Sequence, residues 1–70
     1  MCLLIKEKIG KRIKELRLDN KLTQEKFAEL CGLDRTYITS LERGQRNISI
    51  VNLEKITNAL NISLRDFFDC

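Results

Sequence analysis

The stretch QEKFAELCGLDRTYITSLERG, Gln24 to Gly44, sets Ala28 four residues before Gly32 and then crowds hydrogen-bonding side chains into Arg35-Thr36-Tyr37-Ile38-Thr39-Ser40. Thr23 is placed to cap a helix from Gln24, its hydroxyl accepting from an orphaned backbone N–H, with Glu25 favourable in the first turn. Phe27, Leu30 and Cys31 are the expected buried face of that helix. Gly32 can take the left-handed conformation that ends a helix, Leu33 can plug the junction, and Asp34 is placed to cap the next helix almost at once. Two helices joined by so tight a turn must cross closely, which explains the small Ala28.

The second of these helices has two unlike faces. At about 100° per residue, Arg35, Thr36, Thr39, Ser40 and Arg43 fall within an arc of about 140°, while Tyr37, Ile38 and Leu41 lie on the opposite side. One face anchors and the other is a polar stripe. The DNA major groove admits one α-helix, displays donors and acceptors on its base edges and is flanked by phosphates. Arg35 is long enough for a bidentate contact to guanine, and Thr36, Thr39 and Ser40 are short enough to let the helix enter while offering hydroxyls or a methyl. Tyr37 lies at the edge of the buried face, its hydroxyl able to reach a phosphate or a base. Gln24 at the N-terminus of the preceding helix, with Arg17, Arg43 and Arg46, are candidate phosphate contacts. Arg46-Asn47 could instead reach a minor groove or the dyad of a dimer. Arg17 has a second reading, a partly buried ion pair with Glu42 that leaves one face of the guanidinium for phosphate.

Outward from this pair, Ile5, Ile9, Ile13 and Leu16 recur at helical spacing and predict a first helix from Ile5 to Leu18 or Asp19, with Gly10 inside it as a point of close approach. Gly44 stops the third helix and Ile48 pins the loop after it. Ser49 caps a fourth, whose core face is Leu53, Ile56 and Leu60. Ser63 with Asp66 resembles a capping box opening a short fifth helix, Leu64 to Phe68. Proline is absent and aromatics are few among the 70 residues, which favours helices over sheets. The expectation is an all-α domain of five helices over residues 1–70, with the helix-turn-helix at about 24–43 and a self-association part at about 50–70.

A chain of this length buries only a marginal core, so a partner subunit is expected. Ile50, Val51, Ile62, Leu64, Phe67 and Phe68 carry more apolar surface than one such unit can bury, and they are the expected dimer interface. Of Phe67 and Phe68, one is expected in the core and one at the interface. Charge divides the same way: eleven basic residues against seven acidic ones up to Ser49, then two against three from Ile50. The first part suits a polyanion and the last part another task. Two recognition helices about 34 Å apart would span one turn of duplex.

Other chemistry is disfavoured. Three cysteines, Cys2, Cys31 and Cys70, form no C-x-x-C pair and there is no histidine, so neither a zinc site nor a cofactor is expected. Cys31 reads as a core residue. Paired catalytic carboxylates and a phosphate loop are missing, so an enzyme is not expected. The apolar start, Cys2 to Ile5, is too short for a signal peptide or a membrane span, which predicts a cytoplasmic protein.

Four segments carry a resemblance: I-G-K-R-I-K-E-L-R from Ile9, L-T-Q-E-K-F-A from Leu22, L-D-R-T-Y-I from Leu33 and L-E-R-G-Q-R-N-I-S from Leu41. With them the chain resembles the Cro/repressor (XRE-like) helix-turn-helix type, specifically the small controller proteins of bacterial restriction-modification systems. The resemblance implies a compact five-helix, lambda-repressor-like domain, homodimeric on a palindromic operator, that activates or represses its own and the endonuclease's transcription. It implies Arg35 as base reader, Thr36, Tyr37, Arg46 and Asn47 in supporting contacts, and Gln24 on phosphate. Double-stranded DNA, a second copy of the chain and RNA polymerase are the partners considered. The alternatives are another phage- or plasmid-type repressor, or an antitoxin-like module that binds protein.

Overall fold

The computed structural model describes residues 4–69, so Cys2 and Cys70, weighed above as metal ligands, lie outside the described residues. The helices are α1 (Ile5–Asp19), α2 (Gln24–Cys31), α3 (Arg35–Glu42), α4 (Ile50–Leu60) and α5 (Leu64–Phe67). The four longer ones end by one device. A residue with positive φ follows the last turn: Lys21 at 57°, Gly32 at 72°, Gly44 at 71° and Asn61 at 57°. The next N–H then donates back into the helix, Leu22 to the Arg17 carbonyl at 3.1 Å, Leu33 to Ala28 at 3.0 Å, Gln45 to Ser40 at 3.0 Å and Ile62 to Thr57 at 3.1 Å. This satisfies carbonyls that a helix end leaves open, and Leu22, Leu33 and Ile62 are thereby turned against the core.

Three helices start on hydroxyl caps. Thr23 Oγ1 accepts from the Lys26 N–H at 3.1 Å, Ser49 Oγ from Asn52 at 3.1 Å and Ser63 Oγ from Asp66 at 3.0 Å. Asp34 departs from expectation. It holds the extended backbone of an N-cap, φ −73° and ψ 141°, but its side chain makes no capping bond. Only its carbonyl enters the helix, accepting from Ile38 at 3.1 Å.

The core is built from every helix: Ile13 of α1, Phe27, Ala28 and Cys31 of α2, Ile38 and Leu41 of α3, Leu53, Ile56 and Leu60 of α4, and Phe67 of α5. One expectation is corrected here, because Leu30 is 52% exposed. The buried arc of α2 is centred between Phe27, Ala28 and Cys31, and Leu30 lies about 60° beyond it. The small Ala28 is buried on the opposite flank instead.

Gly10 is where α1 meets α3. A Cβ there would collide with the carbonyl oxygen of Leu41, so this close approach admits no side chain. Gly44 is tight for a second reason besides its positive φ, since a Cβ would stand 2.8 Å from Cγ of Glu7. At the far end, Arg12 clamps α5 onto α1: Nε donates to the Phe67 carbonyl at 2.8 Å and Nη2 to that of Asp66 at 2.9 Å.

Candidate nucleic-acid interface

α3 is held from behind along its apolar side, where Ile38 and Leu41 are buried, and this leaves its polar arc outward. Arg35, Thr36 and Arg43 are exposed, while Thr39 and Ser40 are half-buried. Arg35 has no ion pair or hydrogen bond from its side chain among the described residues, so its charge at the helix N-terminus opposes the dipole without an internal partner. Eight residues of α3 rise about 12 Å, comparable with the major-groove width of about 12 Å.

Behind the stripe runs a polar chain that joins three helices. Arg17 of α1 donates to Glu42 through Nε at 2.7 Å and Nη2 at 3.0 Å, and Nη1 donates to the Leu22 carbonyl at 2.7 Å. Gln24 Nε2 donates to the same carboxylate at 3.1 Å, and Gln24 Oε1 accepts from the Thr39 hydroxyl at 2.9 Å. The Arg17 and Glu42 side chains are 8% and 3% exposed. A charge pair this deep needs its lone pairs and protons satisfied, and the bidentate geometry with Gln24 and Leu22 does that. Of the two readings of Arg17, the ion pair is the one realised; three of its five N–H protons are spent inside the subunit. Gln24 retains its second amide proton for an external acceptor such as phosphate.

At the edge of the stripe Tyr37 is half-buried. The Arg46 guanidinium lies over its ring, 5.0 Å from the centroid, close enough for cation–π attraction. Its hydroxyl accepts from Asn52 Nδ2 at 3.0 Å and keeps its own proton to donate. Sequence reasoning missed Asn52. Its one signal was a polar residue one place before the core residue Leu53 on the first turn of α4. Arg12 was also missed, because its partners are carbonyls more than fifty residues away that no local pattern marks. Arg46 and Asn47 stand exposed on the loop after α3 and, with Ile5, Lys6, Ile9 and Ile48, line an open cavity of about 300 Å³.

The apolar surplus of the last third divides. Ile50 is 68%, Val51 59% and Phe68 48% exposed, and Leu64 is also exposed. Phe67 is corrected out of the interface set: its side chain is 1% exposed and fills the core, with its ring edge-on to that of Phe68 at 5.2 Å. Ile62 is half-buried against the same core. Burial pushes the Cys31 thiol up to about 11, as for a cysteine packed as a small hydrophobe. Among the described residues no group of three or more His, Cys, Asp or Glu could hold a metal ion, and no helix is long and apolar enough to cross a membrane.

The helix-turn-helix family matches residues 13–67. The control protein C.MunI of Mycoplasma sp is 49% identical over 65 residues, which cover 91% of this chain and 88% of that protein. Among solved structures, the restriction-modification controller protein C.AhdI from Aeromonas hydrophila superposes with a TM-score of 0.87 at 49% identity, covering 90% of this chain and 96% of that one. The controller protein C.Esp1396I, solved as a tetramer in complex with its natural 35 base-pair operator, superposes at 0.89 with 40% identity, covering 97% of this chain and 90% of that one.

Proposed function

The chain belongs to the XRE-type helix-turn-helix family, among the restriction-modification controller proteins, and we propose that it is a sequence-specific, DNA-binding transcriptional regulator acting as a homodimer on a palindromic operator. The observation that carries this reading is the unburied polar arc of α3, braced from behind by Gln24, Glu42 and Arg17. A helix serving only the core would not hold Arg35, without a partner among the described residues, and Thr36 outward beside a buried ion pair.

In this reading α3 enters the major groove with Arg35 on a guanine edge and Thr36, Thr39 and Ser40 on neighbouring bases. Tyr37 supports at the rim. The free amide proton of Gln24, together with the helix dipole of α2, holds one phosphate, and Arg43 and Arg46 hold others. Asn47 lies where the loop meets a minor groove or the dyad. Ile50, Val51, Leu64 and Phe68 close the two-fold. The chain acts as one domain in the cytoplasm, with RNA polymerase as a further partner.

The test is selection from a random duplex pool with the full chain. The expected result is a palindrome whose half-site centres lie about one helical turn apart. Recovery of no common sequence, with binding that tracks only salt and duplex length, would overturn the reading.

A further inference from the structure

The hydroxyls of the stripe are not equivalent. A threonine hydroxyl has one proton to donate and two lone pairs to accept with. Thr39 Oγ1 has two acceptors within reach, Gln24 Oε1 at 2.9 Å and the Arg35 carbonyl at 3.0 Å, and both lie within the subunit. Its choice between them is immaterial, because either bond turns the proton inward.

The Gln24 bond is not free to reverse. Glu42 is a carboxylate and can only accept, and Arg17 can only donate to it. The amide NH2 of Gln24 must therefore face Glu42, which it does at 3.1 Å, and this leaves the carbonyl oxygen facing Thr39. Reversing the Thr39 hydroxyl would leave that carbonyl oxygen without the donor it has inside the subunit. Among the described residues no donor is bonded to the Thr39 oxygen, and with two of its directions facing the Gln24 and Arg35 oxygens, one lone pair remains for an outside donor. By contrast, no hydrogen bond restrains the hydroxyls of Thr36 and Ser40 there, so they can turn either way.

Resting on the operator-binding reading above, we propose that Thr39 reads its base as an acceptor only, taking a hydrogen bond from an exocyclic amino group in the major groove, adenine N6 or cytosine N4. The buried Arg17–Glu42 pair thus reaches the base edge through Gln24: a charge placed for stability sets the donor–acceptor sense of a reading residue. Purine N7, guanine O6 and thymine O4, which need a donor, are disfavoured opposite Thr39.

The experiment uses the full chain and its selected operator, substituted one position at a time with base analogues. 2′-Deoxynebularine removes the adenine amino group, a 2-pyrimidinone nucleoside removes that of cytosine, and 7-deazapurines remove N7. Each duplex is titrated with wild type, Thr39→Val and Thr39→Ser. At one position per half-site, loss of the amino group is expected to weaken wild type and Thr39→Ser by about fivefold and Thr39→Val by less than about twofold. Loss of N7 is expected to weaken all three proteins alike. Any general loss from freeing Gln24 cancels in this comparison. Coupling of Thr39 to an N7 deletion, or to no amino deletion, would overturn the proposal while leaving operator binding intact. Failure of wild type to select any operator would instead sink the reading beneath it.

Discussion

Arg35 stands at the first turn of α3 with no protein partner among the described residues, so its removal changes little within the subunit. Arg35→Ala should lose about 1–3 kcal/mol of discrimination at one base position, whereas Arg46→Ala should weaken binding to all duplexes about equally. Titrating base-substituted operators against both variants separates the two; unchanged preferences in Arg35→Ala would remove it as the reader. Cys31 behaves differently because it is enclosed. Its folded value of about 11 lies above the ordinary 9.0, so the native state keeps a proton that the unfolded chain gives up between those values. Its stabilising share is complete below pH 9 and is lost as pH rises toward 11. Urea midpoints followed across that range should fall more steeply for wild type than for Cys31→Ala; parallel curves would show that the thiol is not held neutral by burial. The exposure of Arg35 and the burial of Cys31 were legible from residue type and helical phase. Asn52 was not, since its meaning comes from a tyrosine hydroxyl fifteen residues away.

At the scale of elements, the arrangement depends on how closely α1 can approach α3. Gly10 has no room for a methyl, because the obstacle is the Leu41 carbonyl, backbone that cannot swing aside. Gly10→Ala gains helix propensity of about 1 kcal/mol, yet it should destabilise the fold by about 1–3 kcal/mol net, as overpacking does. Equal or higher stability in chemical denaturation would mean that the crossing can relax. Helix ends were readable where glycine or a hydroxyl marked them: Thr23, Gly32, Gly44, Ser49 and Ser63. Asp34 was read as a side-chain cap and is not one; position in sequence told where the helix begins but not which way the carboxylate turns. Leu30 was assigned inward as the i+3 neighbour of Phe27, although α2 turns its other flank inward and buries Ala28 instead.

For the whole molecule the exposed set Ile50, Val51, Leu64 and Phe68 is too large an apolar surface to leave in water without consequence. Ile50→Asp should leave the helical signal unchanged while shifting the sedimenting species to the 8.2 kDa chain mass at micromolar concentration, with affinity for the palindromic operator falling at least tenfold as the second half-site is lost. An unchanged dimer would place the two-fold elsewhere. By itself the sequence determined the five helices, the turn between α2 and α3 and the polar arc of α3, because periodicity, caps and residue size are local and act wherever the chain goes. Tertiary structure alone decided that Phe67 closes the core while Phe68 stays outside, that Arg12 ties α5 to α1, and that the Arg17–Glu42 pair expected from the sequence continues through Gln24 to Thr39. Those outcomes depend on distances between segments far apart in sequence, and a burial preference or a hydrogen-bonding side chain does not carry the identity of its partner.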